Sequence, residues 1–152
     1  MLRKRGLFAA AVVAALCVTG LFAASANAQV VSVHVVQVRA SNEGGESVDP
    51  TLGALGERLK QTYPYRNYKR VGSSTESGAV GASLHFALMG GMALTLDIQA
   101  YEEPMVSMRA AVTRGQEQLV GTNLKVRKGG TVIISVPLGA DKLILAITPS
   151  VR

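Results

Sequence analysis

The sequence predicts an α+β, mainly β domain: an antiparallel two-layer sandwich of about eight strands, with one helix near residues 50–62. Three observations predict it. Short segments alternate between apolar and polar residues, glycine-containing turns separate them, and a single stretch has its leucines at helical spacing. Because each alternating segment has one apolar side only, one face of each sheet should be buried and the other should face water.

The first strand and the helix come early in the chain. The segment "VVSVHVVQVRAS" is rich in valine on both faces, which is typical of a central or well-covered strand. The segment "NEGGESVDP" then reads as a loop, and Asp49-Pro50 is a favourable helix start because aspartate caps free N–H groups and proline suits the first turn. Leu52, Leu55 and Leu59 follow at helical spacing, so the helix should pack against an edge or a face of the sheet.

The remaining strands follow from residue 65 onward. Residues 73–77, which include four hydroxyl side chains, read as a polar loop. Gly90-Gly91 permits the positive φ angles of a two-residue hairpin turn. The strand candidates after residue 78 are "VGASLHFAL", "MALTLDIQA", "VSMRAAVTR", "EQLVGTNLKV", "TVIISVPL" and "KLILAIT".

Residues 1–28 have the layout of a secretory signal peptide. Three cations at positions 3–5 precede an apolar run from Gly6 to Ala24, and small residues lead to a small-x-small site ending at Ala28. We expect cleavage after Ala28 and a single extracytoplasmic domain over 29–152, placed in the periplasm or secreted, without a stable membrane span. An uncleaved membrane anchor is the alternative, because the apolar run is long enough to cross a bilayer.

Cysteine usage and charge limit the chemistry of the mature chain. Cys17 is the only cysteine and lies before the cut, which excludes disulfides, a thiol nucleophile and thiolate metal ligands after cleavage. Three of the 16 cationic residues also precede the cut, and none of the ten acidic residues does, so the mature chain is near +3 instead of +6. This mild positive charge is compatible with acidic envelope polymers but demands no such partner.

Tyrosines and cations are concentrated in "QTYPYRNYKRVGSS". In a strand, Tyr65 and Lys69 would face one way and Arg66, Tyr68 and Arg70 the other. This split argues against a nucleic-acid platform, which needs its aromatic rings along one basic face. Cross-strand packing of the tyrosines is the ordinary interpretation. Because Tyr and Arg favour interfaces, these five residues are also the predicted partner-binding site.

Methionines provide a metal-binding alternative. Met89 and Met92 flank Gly90-Gly91, so a two-residue turn would place their thioethers opposite each other, with His85 close in sequence. Thioether sulfur is a soft ligand suited to Cu(I). Met105 and Met108 would point to opposite faces of a strand, so they could not chelate one ion together.

No set of residues predicts catalysis. His85 could have Asp97 or Glu102 as a partner across its hairpin, but no serine-containing elbow or metal-ligand spacing accompanies it. We therefore predict that the protein is not an enzyme and needs no cofactor.

Two resemblances add to this interpretation. The combination of "VRASNEGGESVDP", the leucine-spaced helix, "YPYRNYKRVGSS" and "KGGTVIISVPLGADKLILAITP" resembles a family of small exported bacterial envelope proteins without an assigned activity. That resemblance covers most of the mature chain and implies a β-rich extracytoplasmic domain. Residues 128–149 are similar to the closing hairpins of secretins, the outer-membrane gates of bacterial secretion systems, although Ser135-Val136-Pro137 stands where secretins have a glycine pair.

The sequence therefore predicts a non-enzymatic exported envelope domain with a structural or protein-binding role. A periplasmic copper-binding protein that uses Met89 and Met92 is the first alternative, and an accessory component of a secretion assembly is the second. An envelope protein is a possible partner, and nucleic acid is not expected.

Overall fold

Nine strands and one α-helix make up residues 29–152, the part of the chain that the computed structural model describes. The predicted signal peptide lies outside these residues. The strands are β1 Val30–Ser41, β2 Ser47–Val48, β3 Asn67–Ala79, β4 Ser83–Leu88, β5 Met92–Glu102, β6 Met105–Arg114, β7 Glu117–Arg127, β8 Val132–Leu138 and β9 Asp141–Val151; a short 3₁₀ helix Pro50–Leu52 precedes α1, Ala54–Thr62.

The strands form two sheets, which confirms the predicted sandwich. One sheet has five strands in the order β2-β3-β1-β9-β8, and the other has four in the order β4-β5-β6-β7. All pairings are antiparallel except that of β2 with β3, which is parallel. The first and last strands are neighbours, and Val30 and Arg152 exchange backbone hydrogen bonds.

The main core lies between the two sheets. The four-stranded sheet contributes the predicted alternating residues, such as Leu94, Leu96 and Ile98, all of which are at most 1% exposed. The five-stranded sheet contributes Val33 and Val35 from β1. With no disulfide available to residues 29–152, this buried apolar surface is the main source of stability.

A second core lies between the helix and the outer face of the five-stranded sheet. It consists of Val38, Ala40, Leu52, Leu59, Tyr68 and Ile144. β1 can supply valines to both cores because neighbouring residues of a strand point to opposite faces. The expectation of a strand buried on both sides is therefore confirmed, and the helix covers a face and not an edge.

Asp49 starts the helical segment in the predicted way. Its Oδ1 accepts hydrogen bonds from the backbone N of Thr51 at 2.9 Å and from the Thr51 hydroxyl at 2.8 Å. These bonds stabilise the charged form, so the pKa of Asp49 lies below its usual value, with the Thr51 backbone N–H as the main cause. The capped segment is the 3₁₀ helix, and α1 begins after Gly53.

Gly56 of α1 lies close to Val48 of β2. A Cβ atom at this position would be 2.8 Å from Val48 Cγ1 and 3.3 Å from Leu52 Cβ. We expect Gly56→Ala to lower the free energy of unfolding by about 1–2 kcal/mol, because the overpacking outweighs the better helix propensity of alanine. Thermal melting followed by circular dichroism measures the effect. Gln61→Ala, at an exposed position of the same helix, is the control, and a Gly56→Ala variant as stable as the parent would contradict the close contact.

Three local predictions were wrong. The predicted loop "NEGGESVDP" contains β2, and residues 73–77 lie inside β3 and not in a loop. Pairing with β1 holds this serine-rich segment extended despite its low intrinsic strand propensity. The β4–β5 turn has three residues, Met89 to Gly91, because Leu88 pairs with Met92. Within residues 29–152, no helix is long and apolar enough to cross a membrane.

Candidate functional site

The outer edge of β3 has a strand partner over a small part of its length only. β2 pairs with Asn67 and Tyr68, and the side chain of Asp49 takes the next position, where its Oδ2 accepts a hydrogen bond from the Arg70 backbone N at 3.2 Å. The chain then turns away at Pro50. Among the described residues, β3 from Val71 onward pairs with β1 alone, so its other side is an open sheet edge.

The side chains along this edge are small. Residues 72–78 read "GSSTESG", in which Glu76 is the single charge and no proline occurs. At the far end, Gly78 packs close to Ala82 of the β3–β4 connection and to Leu84 of β4. We call Val71–Ser77 the open edge. Proteins usually protect such an edge with lysine, proline or a covering element. At one end of the open edge, the β1–β3 pairing has a register shift, opposite Gln37 and Val38 of β1.

The other edge strands of the two sheets are protected to different extents. β8 contains Pro137, and β7 carries Glu117, Lys125 and Arg127. β4 has only six residues. Residues 118–124 of β7 also carry no charge and no proline, so the open edge of β3 is one of the longer edge segments with little charge and without proline in the part of the chain that the structure describes.

A groove with a volume of about 500 Å³ lies next to the open edge, at the beginning of β3. β1, β2, β3, the loop between β1 and β2 and the start of the 3₁₀ helix supply its lining: Arg39, Ser41, Glu43, Ser47, Asp49, Pro50, Asn67, Tyr68 and Lys69. Arg39 and Lys69 are directly opposite each other in the β1–β3 pair, as are Ser41 and Asn67. The groove therefore combines two neighbouring cations with two carboxylates, those of Glu43 and Asp49, and with neutral polar groups.

Arg39 is held in place by Asp141 at the start of β9. Asp141 Oδ2 accepts hydrogen bonds from Arg39 Nε at 2.8 Å and from Arg39 Nη2 at 2.6 Å. The Asp141 side chain is 9% exposed and that of Arg39 is 40% exposed. The ion pair thus has a buried acidic end and a cationic end that faces the groove.

Tyr68 belongs to the core. Only 1% of it is exposed, its hydroxyl donates a hydrogen bond to the Tyr63 carbonyl at 2.9 Å, and the same oxygen accepts one from the Tyr65 backbone N at 3.3 Å. Burial raises the pKa of Tyr68 above its usual value. The ring of Tyr68 is therefore not part of an open partner-binding surface, and the packing interpretation holds for it.

The other four residues of the predicted partner site are spread around Tyr68. Tyr65 lies before β3 and packs on the same cluster as Tyr68, so its predicted orientation opposite to Tyr68 was wrong. Lys69 lines the groove, Arg66 is exposed, and Arg70 donates a hydrogen bond from Nη2 to Ser73 Oγ at 2.7 Å. Partner binding by these residues stays a prediction.

The turn geometry predicted for the soft-metal set is not observed. Met92 is 3% exposed and belongs to the core between the sheets, and its sulfur accepts a hydrogen bond from Arg114 Nη2 at 3.7 Å. His85 is exposed on a strand whose alternate residues are buried, so it faces away from Met92. Met89 lies within the turn and does not oppose Met92, which contradicts the geometry that motivated the copper site. Residues 29–152 also contain no group of three or more His, Cys, Asp or Glu side chains placed to hold a metal ion.

The polar groups around His85 are paired in a way that does not form a relay. Ser83 donates a hydrogen bond directly to Asp97 Oδ1 at 2.6 Å, whereas His85 Nδ1 lies 3.3 Å from Thr95 Oγ1. A hydrolytic triad needs the imidazole between hydroxyl and carboxylate. These four side chains instead form two separate cross-strand pairs on the outer face of the four-stranded sheet.

Comparison with known proteins identifies no family for this chain and one distant structural similarity among solved structures. No protein-family model and no curated protein matches the chain. Among solved structures, the chain is similar to the type II secretion system secretin XcpQ of Pseudomonas aeruginosa, with a TM-score of 0.33 and 10% identity over 82% of this chain. The match spans 58% of the secretin chain. A similarity of this extent says nothing about what the protein binds, and a role in secretion stays a prediction.

Sequence reasoning identified Lys69 but missed Arg39, Asp141 and the open edge. Arg39 and Asp141 are 102 positions apart, so their contact depends on β9 pairing with β1. A single arginine at the end of a valine-rich strand was the available signal. It would have indicated a charged residue at the end of a central strand, where a buried acidic partner is needed.

Proposed function

We propose that this protein is a non-enzymatic, partner-binding domain of the cell envelope, which accepts an extended segment of an envelope protein as an added strand along the open edge of β3. One observation carries the proposal: from Val71 to Ser77, β3 has a pairing strand on one side only. The envelope location rests on the signal-peptide pattern of residues 1–28.

The chemistry of strand addition fits this edge. An added strand gains its affinity from main-chain hydrogen bonds, and small side chains let a foreign backbone approach closely. The open edge offers both, because its residues are glycine, serine and threonine except for Val71 and Glu76. β2, Asp49 and Pro50 already occupy the edge near Tyr68, so they limit how far a guest strand can extend in that direction.

The proposal is tested with a photoreactive amino acid at Thr75, in protein produced in cells that carry its natural envelope. Thr75 is exposed and lies in the middle of the open edge. We expect a discrete adduct in which the crosslinked partner peptide is an extended, strand-forming segment, because a strand paired with the open edge would lie next to position 75. Mass spectrometry of the adduct identifies the partner peptide.

Two matched variants make the test specific. The same photoreactive residue at Asn123, an exposed position on the edge strand β7, should give no such adduct. Ser73→Lys combined with Ser77→Lys should abolish the Thr75 adduct, because lysines on an edge resist pairing. A Thr75 adduct that persists in the double-lysine variant, or equal labelling from Asn123, would contradict strand addition.

A further inference from the structure

The groove beside the open edge contains two cationic side chains whose positions are electrostatically unfavourable. Arg39 and Lys69 are directly opposite each other on adjacent antiparallel strands, and both side chains line the groove. Like charges in this position repel. In the described part of the chain Arg39 has Asp141 as its ion-pair partner, whereas the Lys69 ammonium makes no ion pair.

The Arg39 guanidinium is oriented before any ligand arrives. Both of its bonds to Asp141 come from Nε and Nη2 and end on one carboxylate oxygen. A guanidinium has five N–H donors in a rigid plane, so these contacts leave the donors of Nη1 for another acceptor. A donor that is already fixed loses little freedom when a ligand binds.

The rest of the lining is suited to a small polar ligand. Ser41 and Ser47 add hydroxyl groups, and Asn67 is fixed because its Nδ2 donates a hydrogen bond to the Glu43 carbonyl. The volume of about 500 Å³ falls within the usual range for small-molecule sites, about 300–1,000 Å³.

Two carboxylates also line the groove, and they differ in their availability. Both oxygens of Asp49 already accept hydrogen bonds, Oδ1 from Thr51 and Oδ2 from the Arg70 backbone N. Glu43 is exposed on the loop between β1 and β2, where its negative charge opposes the approach of an anion to the groove.

We propose that this groove binds an oxyanion, the carboxylate or phosphate group of a small ligand, between the Arg39 guanidinium and the Lys69 ammonium. The anion relieves the repulsion between the two cations and accepts charge-assisted hydrogen bonds from both. This site does not depend on strand addition at the open edge.

The test uses the isotopically labelled protein as purified from expressing cells, titrated with three probes. Inorganic phosphate and N-acetylglycine carry the two oxyanions, and N-acetylglycinamide is the neutral control. We expect saturable shifts of the backbone amide signals of residues 39, 67 and 69 with at least one of the anions, and none with the amide. A response to phosphate alone or to the carboxylate alone identifies the source of the anion. Shifts that do not saturate, or that the neutral amide also produces, overturn the proposal.

Charge variants locate the site. Lys69→Gln should weaken binding about tenfold or more, the effect of losing one charge-assisted hydrogen bond. Glu43→Gln should strengthen it about twofold, because an opposing surface charge is removed. Lys125→Gln, which removes an exposed cation of the other sheet, should leave the affinity unchanged. Equal weakening by Lys69→Gln and Lys125→Gln would show attraction to net charge alone and would overturn the groove as the site.

Discussion

Replacing Tyr68 by alanine is expected to lower the free energy of unfolding by about 3–5 kcal/mol, the usual cost of deleting a buried aromatic ring. Tyr68 joins the helix to the outer face of the five-stranded sheet, where it packs in the cluster with Leu59 and Ile144. Its removal leaves a cavity and also frees the Tyr63 carbonyl from its hydrogen bond. Urea unfolding followed by circular dichroism measures the loss.

Tyr68→Phe is the matched variant. It keeps the ring and removes only the hydroxyl, so we expect a smaller loss of about 1 kcal/mol. If Tyr68→Ala lowers the free energy of unfolding by less than about 1 kcal/mol, the value expected for Tyr68→Phe, that result would contradict the placement of the ring in the core. Such a result would instead support the sequence-based prediction that Tyr68 lies on a partner-binding surface with Arg66 and Lys69.

Replacing Gln37 by leucine is expected to cost about 2–4 kcal/mol, although the change makes the core more apolar. Gln37 is 7% exposed, and its side chain links the two sheets: Nε2 donates a hydrogen bond to the Ala87 carbonyl at 3.0 Å, and Oε1 accepts one from the Met89 backbone N at 2.9 Å. Leucine would leave both partly buried backbone groups without their partner, at up to about 1–3 kcal/mol for each group.

Two further variants separate this effect from a general loss of glutamine. Gln99→Leu, at an exposed position of β5, should change stability by no more than about 0.5 kcal/mol. Gln37→Glu should be destabilised at neutral pH, where a carboxylate cannot donate to the Ala87 carbonyl, and should recover partly in acid, where the protonated carboxyl can donate. Urea unfolding at both pH values tests this, and a Gln37→Leu variant as stable as the parent would contradict the linking role.

The inner faces of the strands could be predicted from sequence, whereas the candidate sites could not. Alternation alone identified Leu94, Leu96 and Ile98 as one buried face, because one apolar side is a local property of a strand. The role of Gln37 could not be predicted, because it depends on contacts with a distant segment. A polar residue between valines does not indicate which strand lies across the core. The same pattern hides the register shift between Gln37 and Val38, opposite which β3 has one additional residue, Val71.

The open edge and the groove depend on contacts between distant segments. The sequence "GSSTESG" has the composition of a loop, and only its pairing with β1 makes it a strand. β2 is two residues long, which is too short for any periodic signal. The facing positions of Arg39 and Lys69 follow from the β1–β3 register, which no local pattern specifies.

The position of β9 has a consequence for how the chain reaches its native state. β9 lies between β1 and β8 in the five-stranded sheet, so the earliest and latest strands to be synthesised must meet before that sheet is complete. Closing so large a loop is slow, since its entropy is lost before the contacts form. In a polypeptide threaded through a translocation pore from its amino end, the five-stranded sheet would therefore stay incomplete until β9 had emerged.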